Sequence, residues 1–265
     1  MERNKIISLM GNKGGISRTT SAINIGAWFS LCGKCKILVI DGDGQANLTG
    51  SLAIDESKIK GTIYDLITND DVKAEDIIYR DSALLFDVIV ADSRLNDIDM
   101  AIMNAYDRER LLSYKLESIK KYYDYIIIDS PPIINQATIN ILVASDYLLI
   151  PVQSNYLGVR GISTLTDTIE KIKKRMNPNI KILGYFLAMY DSRTNTDKGI
   201  YELIQEQFGE LAFKTYIRQN SKLKEAPMEQ KTIFEYDRNS NGAIDYYNLC
   251  IEIWKKLGGS VNDGK

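Results

Sequence analysis

The run Ile6-Ile7-Ser8-Leu9-Met10 leads into Gly11-Asn12-Lys13-Gly14-Gly15-Ile16-Ser17-Arg18-Thr19-Thr20, and then into Ser21-Ala22-Ile23-Asn24-Ile25-Gly26-Ala27-Trp28. An apolar run, a loop with three glycines and an apolar pattern at helical spacing predict a strand, a phosphate-sized turn and a helix N-terminus. Glycines let such a turn present its N–H groups inward, and the helix start adds partial positive charge. An anion is then held largely by backbone. A nucleotide is expected here.

Outward from this unit, apolar runs alternate with helical patterns. Lys36 to Ile40 predicts a second buried strand, ending at Asp41-Gly42-Asp43-Gly44-Gln45-Ala46-Asn47. Phe86 to Val90, Tyr125 to Ile128, Tyr147 to Pro151, Ile182 to Leu187 and Phe213 to Ile217 predict five more, and the fourth strand runs into Asp129-Ser130-Pro131-Pro132. The helical patterns include Asp97 to Lys120, Gly161 to Met176, Gly199 to Phe208 and Gly242 to Leu257. The last of these has a predicted core face of Tyr247, Cys250, Ile251, Trp254 and Leu257. Near-continuous apolar strands between helices call for an α/β fold, a doubly wound, mostly parallel sheet flanked by helices. No repeat or linker interrupts the pattern, so one domain is expected over 1–265, with 260–265 a polar tail.

Composition narrows the chemistry. With 265 residues, 45% hydrophobic and 26% charged, the chain has room for a proper core. A net charge of −2 leaves any contact with nucleic acid or acidic lipid to a local patch. No signal segment or apolar membrane-length run is present, which predicts a cytoplasmic protein. Histidine is absent, which removes serine triads and most zinc catalysis. Cys32-Gly33-Lys34-Cys35 has the C-x-x-C spacing, but without a second pair it reads as a helix end, a turn and the approach to a strand.

In an open parallel sheet, ligands collect at the carboxyl ends of strands. Three such ends carry acidic or glycine-rich signals: the opening loop, Asp41 with Asp43, and Asp129. These groups suit phosphoryl transfer from a nucleoside triphosphate to water, which needs a hydroxyl and a carboxylate for magnesium and another carboxylate for the attacking water. Thr19 fits the hydroxyl and Asp129 the metal carboxylate. Asp43 is placed for the water, with Asp41 supporting the metal side.

The usual P-loop pattern, Gly-x4-Gly-Lys and then Ser or Thr, is only half met, with Ser17 and Arg18 where Gly and Lys should stand. Lys13 to Thr20 nevertheless resembles the deviant loop Lys-Gly-Gly-x-Gly-Lys-Thr-Thr of the ParA/MinD family of P-loop ATPases, differing at those two positions. Asp41 to Asn47 resembles that family's Asp-x-Asp-Pro-Gln-x-Asn, and Tyr125 to Pro132 its Walker B strand. Asp146 to Gln153, Met189 to Arg193, Glu225-Ala226-Pro227 and Tyr236 to Tyr246 extend the likeness over nearly the whole chain, in the order of the small ParA-type partition ATPases. The resemblance implies ATP and Mg2+ as cofactors. Gly14, Gly15, Ile16, Ser17, Arg18, Thr19, Thr20 and Asp191 would bind the nucleotide, and Lys13, Arg18, Asp43 and Asp129 would act in hydrolysis. It further implies a homodimer in which Lys13 reaches the partner's phosphates, non-specific DNA binding at the nucleoid, and a ParB-type centromere-binding adaptor that stimulates hydrolysis.

Three departures bear on rate. Arg18 swaps a compact ammonium for a planar fork, Ser17 adds a side chain where backbone meets phosphate, and Gly44 replaces proline after Asp43. Slow or differently regulated hydrolysis is expected, with a nucleotide-gated switch of little or no turnover as the alternative. A MinD-like membrane ATPase is a further alternative, which the short polar end of the chain disfavours. For DNA, Arg218, Lys222 and Lys224 are the expected contacts, and Arg160, Lys171, Lys173, Lys174, Arg175 and Lys181 form the other basic stretch. Asp237 to Asp245 imitates part of an EF-hand loop, but its twelfth position is Asn248, and helix capping accounts for the same residues.

Overall fold

A computed structural model of the chain describes residues 2–11, 15, 17–153 and 156–260. In chain order the strands are β1 Lys5–Leu9, β2 Ile37–Asp41, β3 Asp87–Ile89, β4 Tyr125–Asp129, β5 Tyr147–Gln153, β6 Lys181–Tyr190 and β7 Ile217–Arg218. The helices are α1 Arg18–Leu31, α2 Asn47–Gly50, α3 Ile63–Thr68, α4 Ala74–Ile77, α5 Ile98–Ala101, α6 Leu111–Lys120, α7 Gln136–Ala144, α8 Tyr156–Arg175, α9 Asn195–Phe208, α10 Lys222–Met228, α11 Ile233–Tyr236 and α12 Asn241–Lys256. All the strands pair in parallel, in the order β3-β2-β4-β1-β5-β6-β7.

The expected doubly wound sheet is therefore the observed one. Its strands are apolar throughout because both faces are covered. Ile6, Leu38, Ile126, Ile128 and Leu148 pack on one side with α6, α7 and α8 through Leu116, Ile141 and Ile169. Ile7, Leu9, Val39, Ile127 and Leu149 pack on the other with α1 and α12 through Phe29, Tyr246 and Ile253. Register puts the functional strand ends together: Leu9 and Asp41 are both Cα partners of Asp129. Just beyond, the Gly42 amide donates to the Asp129 carbonyl at 2.9 Å. A Cβ on Gly42 would stand 2.5 Å from that carbonyl oxygen, so only glycine permits this approach.

Three expectations are corrected. The helix expected over Asp97 to Lys120 is broken: α5 ends at Ala101, turns follow, and α6 begins only at Leu111. Asp107 adopts a left-handed φ of 50°, and Asn140 on α7 bridges the break by donating to the Arg108 carbonyl and accepting from the Leu112 amide. The seventh strand shrinks from Phe213–Ile217 to Ile217–Arg218, because the Glu252 carboxylate takes the amides of Lys214 and Thr215 that would have extended it. On α12 the buried face centres on Tyr246, Leu249, Cys250 and Ile253, while Tyr247 is 43% exposed. Trp254, which looked central, instead packs edge-on against Trp28 and Phe29 at the margin of this layer.

Cys32 caps the C-terminal end of α1 and Cys35 is buried just before β2, with all three cysteines free. In the EF-hand lookalike, Ser240 caps α12 through the Ala243 amide, and Asp245 is turned away onto Arg218. Among the described residues no helix is long and apolar enough to cross a membrane.

Candidate functional site

Where β1 turns into α1, the helix begins with no acidic residue in its first turn and no side-chain cap on its first amides. Its N-terminus is thus left open to an anion. Ser17 caps it in the left-handed region, at φ 65° and ψ 22°, and Gly15 lies at φ 74°. A left-handed backbone is what glycine supplies at no cost and serine does not. Lys13, Gly14 and Ile16 lie outside the described residues.

A cleft of about 420 Å3 opens above this turn, lined by Gly15, Ser17, Arg18, Thr19, Thr20, Asp43, Gln45, Asn47, Ser51, Pro132, Met189 and Lys224. At its base the Thr19 hydroxyl donates to Asp129 Oδ2 at 2.5 Å. The other carboxylate oxygen, Asp129 Oδ1, is buried without a hydrogen-bond partner among the described residues. Burial, and then the charge of neighbouring Asp41, push the Asp129 carboxyl up to about 7, against the Thr19 hydrogen bond and the Arg18 charge.

Asp41, expected to support the metal side, has both carboxylate oxygens engaged in its own turn. Its Oδ2 accepts from the amide and hydroxyl of Thr49 at 2.9 and 2.7 Å, and its Oδ1 from the Asp43 amide at 3.2 Å. It therefore shapes the turn that carries Asp43. Burial raises its carboxyl to about 6 in spite of those donors. Asp43 is itself buried and accepts the Gln45 amide on Oδ1 at 3.0 Å. The next residue explains one departure from the family pattern. A Cβ at Gly44 would stand 2.5 Å from Asn96 Oδ1, so Asn96 takes the space a proline ring would need.

Arg18 is 7% exposed, and its Nη1 donates to the Gly11 carbonyl at 2.5 Å. Burial lowers its pKa, opposed by Asp129 and then Asp43, and the guanidinium remains charged. The cation thus closes the loop on itself, with two carboxylates as its electrostatic counterpart.

At the far side of the cleft β6 bulges between Ala188 and Tyr190. Met189, at φ 60°, lines the opening. Asp191 sits just beyond, bound through its carboxylate to the Arg193 guanidinium at 2.7 and 2.9 Å. That pairing holds it down at about 2. It is not among the residues lining the cleft. Of the residues expected at DNA, Arg218 grips buried Asp245 through Nε and Nη2, and Lys222 pairs with Glu225 at 2.7 Å. Lys224 turns up in the cleft. Gln45, Asn47, Ser51, Pro132, Met189 and Lys224 are the cleft residues for which sequence reasoning gave no role at the nucleotide. Of these, Gln45, Asn47, Pro132 and Met189 lie in family-like segments, whereas Ser51 carried no signal.

Residues 4–182 match the AAA_31 family, described as an AAA domain. The sporulation initiation inhibitor protein Soj of Bacillus subtilis (strain 168) is 38% identical over 249 residues, covering 94% of this chain and 98% of its own. The chromosome partitioning protein ParA of Myxococcus xanthus is 34% identical over 252 residues, covering 95% and 88%. Cobyrinic acid a,c-diamide synthase from Mycobacterium smegmatis, solved with a bound ATP analog and magnesium, superposes with a TM-score of 0.80 at 26% identity over 93% of this chain and 92% of its own.

Proposed function

The chain belongs to the ParA family of P-loop ATPases, and on that premise we propose that it is an ATP-dependent DNA-partition ATPase using ATP and Mg2+. The observation that carries the reading is the Thr19–Asp129 contact beside an unsatisfied carboxylate oxygen, at the meeting of three strand ends and under a phosphate-sized turn. A buried carboxylate oxygen with no donor fits a cation or its water. One carboxylate and one hydroxyl are also what magnesium takes from a protein when phosphates supply the rest. The fold's similarity to a synthase solved with an ATP analog and magnesium supports the same ligands.

Magnesium, when bound, would supply charge stabilisation for phosphoryl transfer. Thr19 and Asp129 would hold it, and the Thr49–Asp41 contacts keep the adjoining turn in place. Asp43, fixed by the Gln45 amide on one oxygen, keeps the other to orient the attacking water. Gly15 and the amides of Ser17 to Thr20 cradle phosphate. Lys13, with Gly14 and Ile16 of the same loop, serves as the family pattern implies, Lys13 across a homodimer. The ATP-bound dimer binds DNA non-specifically at the nucleoid, in the cytoplasm, and a ParB-type adaptor triggers release. Arg218 and Lys222 are the proposed DNA contacts; Arg218 Nη1 has no intrachain partner among the described residues.

A switch with little turnover is the second reading. The observation favouring it is the hydrogen bond of Arg18 to Gly11, which engages this buried cation with a backbone carbonyl of its own loop. Binding of random duplex DNA with ATP, with ADP and without nucleotide, measured beside ATP turnover, tests both. DNA affinity should appear only with ATP and fall steeply with salt. Affinity indifferent to nucleotide overturns the partition and switch readings alike.

A further inference from the structure

Among the described residues, two cations line the cleft assigned above to the nucleotide, Arg18 and Lys224. Against them stand Asp43 in the lining and the buried Asp129 and Asp41 beneath it. Beside the magnesium and Lys13 assigned to the terminal phosphates, Arg18 is nearly buried and already donating to the Gly11 carbonyl, so it has little freedom to follow a ligand. Lys224 is the opposite case. Its basic neighbours each have an acidic partner within the chain, Arg218 with Asp245 and Lys222 with Glu225, whereas the exposed Lys224 side chain has no hydrogen bond or ion pair among the described residues. Lys224 also lines the smaller hollow that continues the cleft toward Gln219, Asn220 and Leu223. Ser17, Thr20 and Met189 border both spaces, so Lys224 stands at the seam between a phosphate half and the half left for the nucleoside.

We propose that Lys224 is a phosphate contact of the bound nucleotide, gripping from α10 the phosphate nearest the sugar, and is not a DNA contact. The proposal rests on the nucleotide-binding reading of the cleft. A lysine suits the place: a compact ammonium with three donors on a flexible stem can reach a phosphate from the rim, where Arg18 is held by the loop. Because ATP and ADP share the phosphate nearest the sugar, the contact acts on both equally.

Calorimetric titration of the full chain with Mg-ATP and with Mg-ADP tests this, using wild type, Lys224→Ala and Lys224→Arg, each checked for unchanged thermal unfolding. Lys224→Ala should weaken both nucleotides about tenfold. Lys224→Arg, which keeps the charge, should stay within about threefold of wild type. Affinity for random duplex DNA at saturating Mg-ATP should not change. An unchanged nucleotide affinity in Lys224→Ala, a loss confined to ATP, or a drop in DNA affinity at saturating nucleotide each overturns the proposal. Wild type taking up neither nucleotide would instead sink the underlying reading, and that is decided in the wild-type arm alone.

Discussion

Asp129→Asn should stabilise the nucleotide-free protein and abolish hydrolysis. The carboxyl of Asp129 is raised from an ordinary 3.8 to about 7. At 1.36 kcal/mol per pKa unit, the folded state carries about 4 kcal/mol of strain when this group is ionised. The sign follows from proton binding. Between the two values the folded chain holds a proton that the unfolded chain has lost, so this group's contribution to stability falls as pH rises from about 4 to about 7 and is flat above. Asparagine removes the charge and can still accept from the Thr19 hydroxyl. Two losses offset the gain: a buried Nδ2 donor without an acceptor, at ~1–3 kcal/mol, and the loss of one of the two carboxylates facing Arg18.

The net expectation at about pH 8 is 1–3 kcal/mol of stabilisation, or roughly 3–8 °C in Tm for a chain of this size. At about pH 5, where wild-type Asp129 is already protonated, the gain should vanish. Scanning calorimetry with chelator and without nucleotide at the two pH values measures it. A variant no more stable than wild type at the higher pH, or equally stabilised at both, refutes the argument that a buried, partly unsatisfied carboxylate is kept here for function at the expense of stability.

Ser17→Gly relieves a left-handed serine worth ~1–2 kcal/mol, offset by ~0.5–1 of added chain entropy, so thermal unfolding should show a gain of roughly 0.5–1 kcal/mol. Arg18→Lys shortens the side chain that now bonds Gly11 and should raise ATP turnover roughly tenfold, one well-placed contact; turnover no faster than wild type would make the substitution silent. Thr49→Val removes the hydroxyl that donates to Asp41 and accepts from the Ala91 amide, so urea unfolding should lose ~1–3 kcal/mol. With one donor gone the Asp41 carboxyl rises further, so this loss should be larger at about pH 8 than at about pH 5.

The sheet was legible because its information is local. A strand buried on both faces must be apolar residue after residue, and Ile37 to Ile40 or Tyr125 to Ile128 leave no other reading in so short a span. What the sequence hid is where a distant side chain overrules a local pattern. Phe213 to Ile217 has strand composition throughout, yet Glu252, one helix later, captures the amides of Lys214 and Thr215 and leaves a two-residue strand. Asn140 does the same to the apparent helix through residue 111, bonding both sides of its break from another element. The phase of α12 departs from the apolar pattern for a related reason: Trp254 is the largest apolar side chain there, but it works at the aromatic margin while Tyr246 goes inside to bond Ser21.

The site divides along the same line. Thr19 and Asp129 could be paired on paper because each sits at the end of its own strand unit, and parallel register carries such ends to one place. Asp41 shares that register yet spends both oxygens on Thr49 and Asp43, a choice made by how the following turn folds back and not by the spacing of the acids. Lys224 is the extreme case. Its sequence neighbours Arg218 and Lys222 make it look like one member of a basic cluster, and only the fold reveals that both of them are paired within the chain while it borders the cleft. Basic residues adjacent in sequence thus divide by whether an acid partner already stands beside them: a paired cation meets a ligand with part of its charge answered, and the unpaired one meets it with its full charge.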